Sequence, residues 1–208
     1  MFSIIQAAGW PIWLLIACSI MSLTLIIERL FSLQTKKIAP NQLLQEVFLI
    51  TQHGLPNDGV IARLELSSVL GKVLAQGLRS LQKNPQSTSL DLHTHMEGVG
   101  KWEARELEKY LTAIATIASA APLLGLFGTV VGMIEIFGSQ SLEGGVTGGN
   151  PAQLAHGISV ALYNTAFGLI VAIPSLIFWR YFRSRVDDYV LVMELASEQL
   201  IRHLMRQK

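Results

Sequence analysis

Charge is scarce in this chain. Asp, Glu, Lys and Arg make up 15% of its 208 residues, where soluble domains average about 25%, and hydrophobic residues make up 50%. Cysteine is nearly absent, and Cys18 alone excludes an internal disulfide or a metal site built from several cysteines. The net charge of +1 gives no sign of a nucleic-acid-binding surface. The deficit of charge points to a protein embedded in lipid.

Three apolar stretches contain no Asp, Glu, Lys or Arg. They are residues 10–27, 111–134 and 157–179. The hydrocarbon core of a bilayer is about 30 Å thick, which takes about 20 helical residues to cross. A charged residue at its centre costs about 2.5–3.5 kcal/mol. The three stretches are therefore predicted to be transmembrane helices.

Basic residues are also missing from parts of the chain, namely the first 28 residues and residues 138–156. Of the 16 Lys and Arg residues, ten lie between the first and second spans and six follow the third. Basic residues collect on the cytoplasmic side of membrane proteins. The N-terminus is therefore predicted to be periplasmic, and the long loop and the C-terminus cytoplasmic.

The sequence thus predicts an all-α membrane protein with three transmembrane helices and long cytoplasmic helical extensions. Its segments are the periplasmic N-terminus and first transmembrane helix (1–35), a cytoplasmic helical loop (36–110), the second transmembrane helix (111–137), a periplasmic hairpin (138–156), the third transmembrane helix (157–180) and a cytoplasmic C-terminal helix (181–208).

Local signals refine this organisation. Helix breaks are predicted at residues 53–59 and near Asn84–Pro85, where Gly, Pro and Asn cluster. Residues 101–110 contain neither Gly nor Pro, so their helix is predicted to run directly into the second span. Residues 15–18 are similar to a lipoprotein cleavage site. However, no basic residue precedes them and the apolar run continues to Ile27, which favours an uncleaved first span.

The second and third spans each have one face of small or slightly polar residues opposite a bulky face. In the second span the small face holds Ala115, Ala118, Pro122, Gly125, Thr129 and Gly132, and in the third it holds Gly157, Ala161, Asn164, Gly168, Ala172 and Ser175, with Thr165 at its edge. Gly128 and Gly132 add a small-xxx-small spacing, which is typical of closely packed membrane helices. The two small faces are predicted to meet protein or a pore.

Two interpretations of the polar residues in these spans remain open. Thr129, Asn164 and Thr165 can simply bond to backbone carbonyls or a neighbouring helix. Alternatively they line a hydrated path for an ion, because polar groups at membrane depth are costly unless they are paired or wet. In that case Pro122 and Pro174 would free carbonyl groups to face the path.

No pattern indicates catalysis, a cofactor or a resident metal. Residues 125–132 are glycine-rich, but they lack the spacing of a nucleotide-binding loop and lie inside a span. His93 and His95 have no accompanying ligands and are interpreted as solvated side chains. Glu135 and His156 lie at the outer ends of the second and third spans. Two interpretations of them remain open: Glu135 is a solvated or structural residue and His156 an interfacial one, or they are candidates for proton entry.

The second and third spans resemble a known family. Residues 121–134 (APLLGLFGTVVGMI), Gly157–Ile158 and residues 164–174 (NTAFGLIVAIP) resemble the signature of the ExbB/TolQ proton-channel proteins, relatives of the flagellar stator MotA. The three-span topology and the large cytoplasmic loop extend this resemblance loosely along the chain. A MotA-like stator would have four spans, so ExbB and TolQ are the nearer relatives.

The resemblance implies a homo-oligomer, expected to be a pentamer, in the bacterial inner membrane. The ring would surround an ExbD-like or TolR-like single-span partner that supplies a protonatable aspartate in the pore. Thr129 and Thr165 match the family's pore-lining threonines and would orient that aspartate. Many relatives carry glutamate where this chain has Val160, so the partner's aspartate is expected to be the sole proton carrier.

The leading hypothesis is an ExbB-like subunit that uses the proton-motive force to energise TonB-dependent outer-membrane transport, with the work passed to a TonB-like protein. A TolQ-like role in envelope maintenance, with a TolA-like partner, is the alternative within the family. A non-conducting membrane scaffold is the alternative from another class. An enzyme would need a buried carboxylate or nucleophile cluster, which the spans do not contain.

Overall fold

The computed structural model describes residues 9–52, 54–143 and 151–206, except the side chains of residues 139–143, 151–154 and 156. Every regular element in these ranges is a helix. In chain order the helices are α1 (Pro11–Ser32), α2 (Thr35–Ile38), α3 (Leu43–Thr51), α4 (Asp58–Ser67), α5 (Val69–Lys83), α6 (Ser89–Glu108), α7 (Leu111–Glu143) and α8 (Pro151–Arg206).

Three of these helices are long and apolar enough to cross a membrane. They are α1, α7 and α8, whose most apolar windows have a mean hydropathy of 1.8–2.0. The 22 residues of α1 extend about 33 Å, enough for a hydrocarbon core of about 30 Å. Large apolar side chains such as Ile20, Leu123 and Ile170 are exposed on these helices. The three predicted spans are confirmed by length and composition.

The chain separates into two compact units. The first consists of residues 1–28 and 110–180 and contains the three apolar spans. The second consists of residues 29–109 and 181–208 and contains the helices of the long loop together with the C-terminal part of α8. Since α1 and α8 each contribute residues to both units, neither unit is a continuous stretch of chain.

The connection between the second and third spans is largely helical. The sequence predicted a hairpin over residues 138–156, but α7 continues to Glu143 and α8 begins at Pro151. Residues 144–150 of the predicted hairpin lie outside the described residues.

The second unit has a core of interlocking helices. Helix α5 buries Leu74 and Leu78 and α6 buries Leu92 and Met96. Gly77 allows α5 and α6 to approach closely, because a Cβ atom there would lie 2.6 Å from the Met96 sulfur. An ion pair of 3.0 Å between Lys72 and the largely buried Glu103 also joins these two helices.

The C-terminal part of α8 contributes one buried stripe to the same unit. Its members recur every three or four residues and are Phe182, Val186, Tyr189, Met193, Ala196, Leu200 and Leu204. The side chains between them are mostly exposed and include several charged groups. The predicted helical extension of the third span is thus present, and α8 continues without interruption for 56 residues.

Helix caps account for several of the loop boundaries. The predicted breaks separate α3 from α4 and α5 from α6. At the start of α6, Thr88 and Asp91 form a capping box. The Asp91 carboxylate accepts hydrogen bonds from the backbone N–H of Thr88 and from the Thr88 hydroxyl. These bonds, the first more than the second, lower the pKa of Asp91 below the usual 3.8. A further break was missed at Ser68, which caps α5 by accepting from the Gly71 N–H at 3.0 Å.

The continuous helix predicted from residue 101 into the second span is wrong. Helix α6 ends at Glu108, and Tyr110 has a φ of 68°, a left-handed conformation that β-carbon sterics disfavour. The Arg29 guanidinium, which is buried, donates to the Leu107 carbonyl at 3.2 Å. A cation at this position satisfies a carbonyl that has no partner in the last turn of a helix.

Candidate functional site

The candidate site is built on a backbone-to-backbone contact between α7 and α8. A Cβ atom at Gly125 would lie 2.7 Å from the Asn164 carbonyl oxygen, and one at Gly168 would lie 2.6 Å from the Ala121 carbonyl oxygen. Ordinary Cβ contacts begin at about 3.4 Å. Hence no side chain larger than glycine fits at either position without a shift of the backbone. The two predicted small faces meet each other here.

Asn164 fills the centre of this contact. Its side chain is 1% exposed, and a Cβ atom at Gly128 would come within 2.8–2.9 Å of its Cβ, Cγ and Nδ2 atoms. Because Gly128 lacks a side chain, the amide group can lie directly against the α7 backbone. Asn164 is therefore placed between the helices and away from the outer surface of the pair.

The two threonines flank the same contact. The Cα atom of Thr165 lies 3.0 Å from the position of a Gly125 Cβ, and Thr129 follows Gly125 by one helical turn. Both threonines are only partly buried. The Thr129 hydroxyl donates to the Leu126 carbonyl at 2.7 Å, which leaves its oxygen able to accept a hydrogen bond.

The helices stay close between the C-terminal half of α7 and the N-terminal part of α8. A Cβ atom at Gly132 would lie 3.2 Å from the Ala161 Cβ, and one at Gly157 would lie 2.6 Å from the Ile136 side chain. Glu135 is exposed in the same part of α7. His156, the other candidate for proton entry, belongs to α8, but its side chain lies outside the described residues.

Both predicted prolines lie inside helices. Pro122 is in α7 and Pro174 is in α8. A proline has no N–H, so it leaves the carbonyl four residues earlier without its usual helical donor. These carbonyls belong to Ala118 and Ile170. Pro122 is partly buried and Pro174 is exposed, so the two prolines occupy different surroundings.

The first span supports the pair through a contact that the sequence reasoning missed. Leu15 of α1 packs on Ala121 and Ala172, each of them buried. The buried hydroxyls of Ser22 and Ser175 are 2.6 Å apart. Since the Ser175 hydroxyl donates to the Val171 carbonyl at 2.7 Å, Ser22 is the donor to Ser175. Ser22 is one of three hydroxyl residues in the first span, with Ser19 and Thr24, and these hydroxyls were the signal available in the sequence.

Further hydroxyls lie on the first half of α7. Thr112, Thr116 and Ser119 are exposed, at a spacing that places them along one side of the helix. The Thr116 hydroxyl donates to the Thr112 carbonyl at 2.8 Å. These hydroxyls lie away from the small face of the helix, so the pattern of small residues did not indicate them.

The chemistry available within the spans is that of hydrogen bonding. Residues 10–27, 111–134 and 157–179 contain hydroxyls, one amide and backbone carbonyls, but no carboxylate and no basic side chain. Such groups can solvate or orient a charged group brought by another molecule, whereas they do not titrate near neutral pH. These three stretches therefore supply no carboxylate, histidine or basic side chain that could carry a proton.

Comparisons with known proteins agree on one family. A sequence profile described as the MotA/TolQ/ExbB proton channel family matches residues 65–195, more than half of the chain. A putative biopolymer transport protein ExbB-like 3 from Synechocystis sp. is 33% identical over 187 residues, which cover 88% of this chain and 86% of the relative.

Of two other relatives, one is named as an ExbB protein and the other as a TolQ protein. The biopolymer transport protein exbB1 of Vibrio cholerae is 31% identical over 176 residues, covering 82% of this chain and 74% of the relative. The Tol-Pal system protein TolQ of Pseudomonas aeruginosa is 32% identical over 123 residues, covering 56% of this chain and 52% of the relative.

Proposed function

This chain belongs to the MotA/TolQ/ExbB proton channel family, and we propose that it is an ExbB-like subunit of an inner-membrane motor. The motor uses the proton-motive force, together with an ExbD-like partner, to energise TonB-dependent transport across the outer membrane. The proposal rests on the contact between α7 and α8, in which glycines bring two backbones together and leave Thr129 and Thr165 partly exposed at membrane depth.

Membership of the family establishes the coarser statements. The chain is a multi-pass membrane protein and a subunit of a proton channel, and the family consists of channel proteins rather than enzymes. The family also implies a partner of the ExbD or TolR type. The spans hold no carboxylate, histidine, lysine or arginine of their own, which supports a mechanism that depends on such a partner.

In the proposed mechanism the partner's single span brings an aspartate into a pore lined by α7 and α8. The carboxylate accepts hydrogen bonds from a hydroxyl when it is ionised, and it donates its proton to a hydroxyl oxygen when it is neutral. Thr129 and Thr165 serve both states. Asn164 is buried in the helix contact and holds the pair in register, so its effect on the aspartate is indirect.

The rigid pair also explains how a proton would do work. Gly125 and Gly168 make close contacts with the backbone of the opposite helix, and Gly128 and Gly132 make close contacts with its side chains, which leaves the wall of the pore little room to deform. Protonation of the aspartate then moves the partner and leaves the wall of the pore in place. One proton crossing about 100 mV releases about 2.3 kcal/mol, and several protons add up to a mechanical step.

Five copies of the chain form the ring around the partner in this proposal. The distribution of Lys and Arg supports a periplasmic N-terminus and a cytoplasmic C-terminus.

Glu135 and His156 then lie at the periplasmic ends of their spans, where they could pass protons into the pore. Pro122 and Pro174 contribute carbonyls without helical donors at two levels of the helix pair.

A TolQ-like role is the second candidate. The relative named TolQ supports it, but its similarity covers 56% of this chain, whereas the two ExbB-type relatives cover 82% and 88%. The greater share of the chain that matches the ExbB-type relatives favours the ExbB-like role.

Proton flux tests the mechanism. The protein, alone and with its co-purified single-span partner, is reconstituted into liposomes under an imposed potential. We expect flux only with the partner, and a fall of at least tenfold in Thr165→Val, which keeps the shape of the side chain and removes the hydroxyl. Thr24→Val is the matched control, because Thr24 is an exposed hydroxyl of α1 that donates to the Ile20 carbonyl.

The outcomes separate the alternatives. Equal flux in Thr165→Val and in the parent complex would remove Thr165 from the mechanism. Assembly without flux in any sample would identify a scaffold. Deleting the gene in its host then separates the two roles within the family: lost uptake of iron chelates with intact detergent resistance supports the ExbB-like role, and the reverse supports the TolQ-like role.

A further inference from the structure

A basic cavity lies outside the helix pair described above. It has a volume of about 480 Å³ and is lined by residues that follow the first and third spans in sequence. Three of them are cationic, namely Arg29, Lys36 and Arg185, and none of the described residues that line it has a carboxylate. The apolar part of its wall includes Leu30 and Phe182. The cavity therefore combines concentrated positive charge with an apolar side.

Arg185 is held in place without an acidic partner among the described residues. Its Nη2 atom donates to the Tyr189 hydroxyl at 2.7 Å and to the Thr35 hydroxyl at 3.0 Å. Tyr189 is buried and donates its own proton to the Leu33 carbonyl at 3.0 Å. The guanidinium carries five N–H groups, so donors remain for a ligand, and its orientation is fixed before a ligand arrives.

The position along the chain indicates the kind of ligand. The apolar run of α1 ends at Ile27, two residues before Arg29, and the third apolar stretch ends at Trp179, six residues before Arg185. Residues at this distance from the end of a span lie at the level of lipid headgroups. Basic pockets at such positions recognise anionic lipids, because they meet phosphate groups that already carry negative charge.

We propose that this cavity binds the phosphate group of an anionic phospholipid. Arg185 and Lys36 contact the phosphate oxygens, and the buried Arg29 adds positive charge to the floor of the site. The acyl chains lie against Leu30 and Tyr181, which are exposed beside the cavity. A free phosphate ion would make the polar contacts but would leave this apolar surface unused, so the chemistry favours a lipid.

Binding of a labelled lipid tests the proposal. The purified complex, stripped of native lipid in detergent, is titrated with fluorescent phosphatidylglycerol and with phosphatidylcholine of the same acyl chains. We expect phosphatidylglycerol to bind at least about fivefold more tightly. Lys36→Gln and Arg185→Gln each weaken that binding about fivefold. Lys37→Gln is the matched control, since Lys37 is the next residue along the chain but does not line the cavity.

Each outcome decides between the possibilities. Unchanged lipid binding in Lys37→Gln together with weaker binding in Lys36→Gln supports the site. Equal losses in both variants would show that the lipid responds only to general surface charge, and would overturn the proposal. Equal affinity for the two lipids would also overturn it. Displacement of the lipid by an equal concentration of glycerol phosphate would identify a free-anion site instead. Since Lys36 is exposed, its variant decides even if Arg185→Gln disturbs folding.

Discussion

Replacing Gly168 by alanine tests the helix contact most directly. The added Cβ atom would lie 2.6 Å from the Ala121 carbonyl oxygen and 3.2 Å from the Gly125 Cα atom. Both neighbours belong to the backbone, so neither can rotate away as a side chain could. To restore an ordinary contact of about 3.4 Å, the helices must separate by roughly 0.8 Å along this line.

The cost of that separation follows from packing. Inserting a methyl group into a closely packed region costs about 1–3 kcal/mol, and the neighbouring contact at Gly128 loses part of its dispersion energy as well. For a chain of this size, each kcal/mol lowers the melting temperature by about 2–4 °C. We therefore expect Gly168→Ala to melt at least about 2 °C below the parent protein.

The measurement is thermal unfolding in detergent, followed by circular dichroism, with proton flux of the reconstituted complex as the functional readout. Gly138→Ala is the matched control, because Gly138 also lies in a long apolar helix but a Cβ atom there meets nothing within 4 Å. The control should be as stable as the parent or slightly more so, since alanine favours helix over glycine. A Gly168→Ala protein with the stability and flux of the control would refute the close contact.

Two further predictions concern single hydrogen-bonding groups. Ser22→Ala and Ser175→Ala should each lower the free energy of unfolding by about 0.6–1 kcal/mol. The double variant should lose less than the sum of the two, because neither hydroxyl is then left without its partner. Additive losses in a double-mutant cycle would contradict the hydrogen bond between the two serines. In the second unit, the lowered pKa of Asp91 stabilises the fold fully above about pH 3.8, and this contribution is lost as the pH falls through the native pKa. The stability difference between the parent and Asp91→Asn, measured by denaturation at several pH values, should therefore shrink below pH 3.8, and a constant difference down to pH 2 would contradict it.

The spans and the small faces were predictable because their causes lie in the sequence itself. Uninterrupted apolar runs determine a span by length. The spacing of the small residues follows the helical repeat within each span, with Gly125 and Gly132 in the second and Asn164 and Gly168 in the third. Composition could not say whether these faces meet each other or a pore. The structure of one chain shows them meeting each other, and Thr129 and Thr165 remain on the flanks of that contact.

The wrong prediction for the end of α6 originates in a contact between distant residues. No glycine or proline marks the end of α6, and Tyr110 is an unusual residue for a left-handed conformation. The break accompanies the hydrogen bond from Arg29, which is 78 positions away from Leu107.

The difference at Gly138 has a local origin. The connection between the second and third spans was predicted to start there, but a single glycine lowers helix stability by only about 1 kcal/mol, and α7 continues to Glu143.

Because α8 is continuous, a change in its length would change the direction in which its C-terminal side chains face, and this restricts insertions and deletions in the helix. One residue inserted between Thr165 and Phe182 would turn everything after it by about 100° and advance it by about 1.5 Å. The stripe from Phe182 to Leu204 would then leave its face relative to Thr165. Seven inserted residues would turn it by only about 20° from the original direction. Insertions and deletions in this helix should therefore be tolerated best at lengths that nearly restore its direction, such as about seven or eleven residues.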